Sequence, residues 1–135
     1  MGIYGQGWNL NTVSFGVPLL LGIEFNFGRI ISLALLGEVG VGLGWPYLLE
    51  GNAGGMAELY FANKMIGLGA GGGLHGRTMP LTASDPDTPD SDSTTYLRFA
   101  LIFRKDSKFN LYAKYHSDSR WGFGLQWCWN IFNKW

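Results

Sequence analysis

From Trp121 to Ile131 large and small residues take strict turns along the chain. Trp121, Phe123, Leu125, Trp127, Trp129 and Ile131 hold the odd positions; Gly122, Gly124, Gln126, Cys128 and Asn130 hold the even ones. Successive side chains of a strand point to opposite faces, so this segment has one bulky apolar face and one small or polar face. Three tryptophans on one face of one strand is a heavy load for the core of a small water-soluble sheet. A transmembrane barrel accommodates it, because the apolar face meets lipid and the polar face lines a narrow interior.

The same period recurs upstream. Val13, Phe15, Val17, Leu19, Leu21, Ile23, Phe25 and Phe27 alternate with Ser14, Gly16, Pro18, Leu20, Gly22, Glu24 and Asn26, and Pro18 predicts a bulge or local break. Ile31, Leu33, Leu35, Val39, Val41, Leu43 and Trp45 alternate with Ser32, Ala34, Leu36, Glu38, Gly40, Gly42 and Gly44. Residues 46 to 53 read as a loop, and a strand follows from Gly54 to Ala62 with Glu58 and Tyr60 inward. Further strands are predicted around Ile66–Leu74, Tyr96–Arg104 and Phe109–His116, separated by a polar, proline-rich loop over 77–94.

Ile3 to Trp8 is a weak strand signal by itself. The connections strengthen it. Gly28-Arg29, Asn63-Lys64 and Lys105-Asp106-Ser107 are tight turns, and they take turns with connections at 11–12, 46–53, 77–94 and 117–120 read as wider. Bacterial outer-membrane barrels have an even strand number, short turns at one end and longer loops at the other. Only eight strands satisfy that parity. Residues 1–135 are therefore expected to form one all-β domain, an eight-stranded antiparallel up-and-down transmembrane barrel. Its apolar face would meet lipid and its polar and glycine face the lumen. A helical span over Ile30–Leu49 is disfavoured by Glu38, Pro46 and the glycines.

Composition narrows the classes. A net charge of zero gives no general attraction to nucleic acid. One cysteine excludes an internal disulfide framework, and 21 glycines without a three-residue period exclude collagen. Met1-Gly2-Ile3-Tyr4 lacks the basic and apolar regions of a signal peptide, so an exported protein would correspond to the mature form.

The inward face carries the candidate chemistry. Glu24, Glu38, Glu58, Arg98, Arg104 and Lys114 form a lumen charge cluster. In a narrow lumen they must pair, since an unpaired buried charge costs several kcal/mol. The bland reading is a salt-bridged plug, because an eight-stranded barrel is only wide enough for side chains to fill; the sharper one is an ion path or gate. Gly40, Gly42, Gly67, Gly69 and Gly71 are expected on two adjacent strands nearly bare of inward side chains. They leave either a cavity or room for Tyr60 and Tyr112 to pack from facing strands. His75 and His116 without a third placed ligand are a weak metal signal, and Asp85, Asp87, Asp90 and Asp92 lack the glycine and terminal glutamate of a calcium loop. No cofactor or metal is expected, and Cys128 reads as an inert small residue.

With these residues in place, the chain resembles the small eight-stranded outer-membrane barrels, the OmpX- and OmpA-transmembrane-domain-like proteins. Gly124-Leu125-Gln126-Trp127-Cys128-Trp129 is similar to the Gly-x-x-aromatic-x-aromatic signal read by the barrel-assembly machinery, and the chain ends on the aromatic Trp135. The resemblance implies residence in the bacterial outer membrane. It also implies contact with the lipid bilayer and lipopolysaccharide, and with the assembly machinery through the last strand. Architecture alone does not fix function.

Three function classes follow: a structural or interaction barrel with a filled lumen and no enzymatic activity, a small porin-like pore or ligand-binding barrel, and a lipid deacylase resembling PagL. The last rests on His116-Ser117-Asp118-Ser119, where His116 and Ser119 are the pair available for catalysis. A soluble, lipocalin-like barrel would require the apolar face to turn inward.

Overall fold

The computed structural model describes residues 1–8, 12–45, 48–78 and 91–129. Their alternating sequence folds as eight strands: β1 (Gly2–Trp8), β2 (Thr12–Phe27), β3 (Ile31–Trp45), β4 (Leu48–Phe61), β5 (Ile66–Thr78), β6 (Ser91–Arg104), β7 (Lys108–His116) and β8 (Trp121–Cys128). Each pairs antiparallel with the next in sequence, and β1 pairs with β8, so the sheet closes as an up-and-down barrel. Closure consumes the edges that would otherwise expose unpaired backbone. Among the described residues no helix is long and apolar enough to cross a membrane, which leaves strands as the means of crossing open.

Facing follows the sequence period. Phe15, Leu35, Leu43, Phe99, Leu101, Phe123 and Trp127 are exposed on the outside. Glu38, Glu58, Arg98, Lys108, Asn110, Lys114 and Gln126 are buried inside. The soluble, inverted barrel would need the opposite arrangement.

Three expectations change. The ladder between β2 and β3 runs unbroken through Pro18, which lies opposite Gly40, so there is no bulge. Pairing of β2 with β1 ends at Gly16, before Pro18 is reached, so the proline interrupts no described pair on that side. Second, β4 starts at Leu48 rather than Gly54, which reduces the predicted loop over 46–53 to residues 46–47. Pro46, Gly51 and Asn52 imitate a loop, yet Glu50 and Asn52 are inward positions of a regular strand. The long loop likewise shrinks, β5 continuing to Thr78 and β6 beginning at Ser91. Asp85, Asp87 and Asp90 lie outside the described residues. Connections at one end span 28–30, 62–65 and 105–107, and at the other 9–11, 46–47, 79–90 and 117–120. Only 79–90 is long, so the contrast between the two ends is weaker than the sequence suggested.

Third, the glycine rows are not neighbours. Gly40 and Gly42 belong to β3, Gly67, Gly69 and Gly71 to β5, and β4 stands between them. The tight turn between β4 and β5 places Ala62, Asn63 and Lys64 in the left-handed region, with φ of 49°, 56° and 67°. Asn tolerates that region; Ala and Lys are strained there.

Candidate functional site

The lumen is organised in successive levels. At the end carrying the β2–β3 turn, Arg104 of β6 reaches across to Glu24 of β2 through two parallel hydrogen bonds, each 3.1 Å. Lys64, in the β4–β5 turn, lies 3.3 Å from the same carboxylate and donates to Asn26. The Arg104 guanidinium also sits 4.3 Å above the Tyr60 ring.

One level further in, Glu58 accepts hydrogen bonds from the Tyr60 hydroxyl and the Lys108 ammonium. Glu58 and Lys108 are 0% and 1% exposed, so this ion pair is cut off from solvent. Sequence reasoning placed Glu58 in the cluster but missed Lys108. That residue directly follows the predicted turn at 105–107, and inward alternation from Asn110 back by two positions would have found it.

Glu38 forms the centre. Its Oε2 accepts from Arg98 at 2.9 Å and from Gln126 at 3.0 Å, and its Oε1 accepts from Asn52 at 2.8 Å. Arg98 also donates to Gln126 Oε1, which accepts from Asn110 at 2.9 Å. The Arg98 guanidinium lies 4.3 Å above the Tyr112 ring. Strands β3, β4, β6, β7 and β8 thus meet in one network.

Above it, the Tyr4 hydroxyl donates to Glu50 at 2.7 Å, and His75 Nε2 lies 3.8 Å from the other Glu50 oxygen. His75 and His116 pack edge to face with centroids 5.2 Å apart. His116 Nδ1 lies 2.8 Å from Thr94 Oγ1. Lys114 belongs here too, over the rings of Tyr96 at 4.6 Å and Tyr112 at 5.4 Å. Like Arg98 and Arg104 of the predicted charge cluster, it lies over tyrosine faces. Glu50 was missed because the sequence placed it in a loop.

The glycines receive these large side chains. A Cβ at Gly42 would stand 2.5 Å from the Tyr4 hydroxyl, and one at Gly67 would stand 2.8 Å from the Tyr60 ring. A Cβ at Gly69 would meet Ile102 and Met56 at 3.3 Å, and Gly40 faces the Asn52 amide. Gly71 is held differently, against the backbone of Gly55 and Met56. Of the two tyrosines expected to fill these rows from facing strands, Tyr60 meets Gly67 from the adjacent strand, and Tyr112 packs instead against Gly124 of β8. Among the described residues an apolar hollow of about 980 Å³ lies on the outer face, bordered by Leu59, Leu68, Phe99, Leu111 and Leu125.

For the deacylase reading the geometry offers little. His116 is buried in the lumen, while Ser117 and Ser119 are exposed. The Ser117 hydroxyl accepts from the Thr95 amide, and Ser119 has a left-handed φ of 63°. Asp118, outside the strands, is bound by Arg120, whose guanidinium holds its carboxyl below the ordinary range. No group of three metal-ligating side chains occurs among the described residues. Cys128 is a buried free thiol.

Fold and lumen define the class: a small closed barrel of eight antiparallel strands, apolar outside and polar inside. Comparison with known proteins finds no matching family model and no curated protein of similar sequence.

Proposed function

We propose that this chain is an integral protein of the bacterial outer membrane with a side-chain-filled lumen and a structural or interaction role rather than an enzymatic one. The observation that carries this reading is the sorting of the two faces. Large apolar side chains such as Phe15, Leu43, Phe99 and Phe123 stand exposed around the wall, while ionised groups are buried within it. In water the outside would be an adhesive apolar surface far larger than the few hundred Å² typical of soluble monomers. In a bilayer it is the solvated face. Tyr115, Trp121 and Phe123 form a ring-against-ring aromatic group on the outside, with centroids 4.9 Å and 6.3 Å apart, of the kind that suits a membrane interface.

The lumen arrangement favours a plug over a pore. A permeating ion would have to separate Glu24 from Arg104, Glu58 from Lys108 and Glu38 from Arg98 in turn. Contact with lipopolysaccharide along the belt and delivery by the barrel-assembly machinery through β8 belong to the same proposal. The test is folding with and without detergent or lipid, followed by far-UV circular dichroism, heat-shifted gel mobility and planar-bilayer conductance. A β spectrum and mobility shift only with amphiphile, and no conductance, are expected. A folded monomer in plain buffer would refute the membrane assignment, and steady single-channel currents would refute the plug.

A further inference from the structure

Among the described residues four cationic side chains are buried: Arg98, Arg104, Lys108 and Lys114. Three of them touch a carboxylate, Arg98 that of Glu38, Arg104 that of Glu24 and Lys108 that of Glu58. Lys114 is the exception. It is 3% exposed, and among the described residues its ammonium has no hydrogen-bond acceptor and no acid within ion-pair distance. What it touches is aromatic, the rings of Tyr96 and Tyr112. A tyrosine face offsets part of a buried positive charge, but it offers no lone pair to the three N–H groups.

The surroundings add a second cation. Lys114 of β7 stands directly across the ladder from Arg98 of β6, and both lie over the Tyr112 ring. Glu38 balances Arg98, and its oxygens are already taken by Arg98, Gln126 and Asn52. The Arg98 Nε is itself buried without an acceptor. Glu50 lies at the level of Lys114 on β4, but its oxygens are met by the Tyr4 hydroxyl and by His75. Two neighbouring side chains thus bring N–H groups and one surplus positive charge to one place. A buried charge is costly unless it is paired and hydrogen-bonded.

We propose that Lys114, with Arg98 beside it, forms a binding site for a small monovalent anion, a halide or a short carboxylate, just inside the mouth of the lumen beside His75 and His116. The depth follows from the strand: His116 is the last residue of β7, and Lys114 is the inward position before it. The charge of the ligand follows from the acids. Glu38 and Glu50 repel a second negative charge, so a sulfate or phosphate dianion is excluded. Its size follows from the packing, because Tyr4, Tyr96 and Tyr112 fill the room beside Gly42, Gly54 and Gly124 and leave place for a few atoms only. The anion supplies the acceptor that the ammonium lacks. It travels no further, since the pair of Glu38 and Arg98 closes the lumen below it.

The probe is chloride. Its NMR linewidth is measured over the full chain in an uncharged detergent, after circular dichroism has established that the barrel is folded. Excess broadening that saturates with chloride is expected. Bromide and formate should displace it, whereas gluconate, too bulky for the lumen, should not at the same ionic strength; displacement by bromide alone restricts the site to halides. Lys114→Met should reduce the broadening several-fold, while Lys64→Met, in the exposed β4–β5 turn, should leave it unchanged. Broadening that persists in folded Lys114→Met, or none in the wild type, overturns the proposal. If Lys114→Met fails to fold, the wild-type displacement series decides: gluconate acting as well as formate places the ion on the surface and overturns it too. The site does not depend on the membrane reading. A chain that folds in plain buffer refutes that reading, and chloride binding is then measured there in the same way.

Discussion

Replacing Glu38 by Gln removes one negative charge from the centre of the lumen while keeping nearly the same shape. Glu38 is 6% exposed and Arg98 is 4% exposed, and the carboxylate accepts from Arg98, Gln126 and Asn52 at 2.8–3.0 Å. A carboxamide can still accept at its oxygen, but its NH₂ then confronts a donor already aimed at the site. More costly, the Arg98 guanidinium stays buried without its counter-charge. Orphaning one partner of a buried pair costs about 3–5 kcal/mol, whereas a solvated pair is worth about 0–1 kcal/mol. The Glu38→Gln variant should therefore lose about 3–5 kcal/mol of stability. The Glu38→Gln/Arg98→Gln double variant should recover a large part of it, because the Arg98 charge is then no longer stranded. Reversible urea unfolding from lipid vesicles, followed by tryptophan fluorescence, measures both. A single-variant loss below about 1 kcal/mol would show that water reaches the pair, and the filled-lumen reasoning would fail with it.

Other variants separate the two faces. Leu35→Arg or Leu101→Arg, at outward positions, should each cost about 2–4 kcal/mol in the same vesicle assay if the belt faces lipid, and a loss near zero would contradict that facing. Gly16→Ala should cost about 1–3 kcal/mol, because a Cβ there would meet the Tyr4 ring and the Val41 carbonyl at 2.4 Å. Gly55→Ala, on the outer face with only the Leu36 carbonyl at 3.7 Å, should be neutral or stabilising by up to about 1 kcal/mol; equal losses at both sites would refute the packing of tyrosine against glycine. Asp118 titrates below its ordinary value because of Arg120, so its contribution is present above the unfolded value and lost as pH falls through the folded one. Arg120→Gln should raise the Asp118 midpoint toward the ordinary carboxylate value by NMR titration, and an unmoved midpoint would assign the shift elsewhere.

The period-two pattern made the strands and their facing legible, because burial alternates with sequence along most of the strands. The pattern was lost at Leu48–Ala53, where Pro46, Gly51 and Asn52 carry turn propensity although Glu50 and Asn52 are fixed by partners distant in sequence. Pairing inside the lumen was only partly readable. Glu24 with Arg104 and Glu38 with Arg98 join members of the predicted cluster, but Glu58 takes Lys108, and Lys114 rests on tyrosine rings. Which charges meet depends on the stagger of strands around the barrel, and one sequence does not state that stagger.

The two faces also guard the register together. Sliding any strand by one residue would turn its leucines and phenylalanines into the lumen and its ionised groups outward. For β6 that slip would bury Leu97 and Phe99 against Glu38 and expel Arg98 from its partner, so the apolar and electrostatic penalties add. Sliding β6 by two residues would restore the facing but would bring Arg98 out of reach of Glu38 and Gln126 and carry Tyr96 off Gly54, whose added Cβ would stand 2.7 Å from the Tyr96 hydroxyl. Apolar patterning alone permits that second slip. The ion pairs and the matched tyrosine–glycine contacts are what forbid it, which gives the buried charges a structural task even in a lumen that conducts nothing.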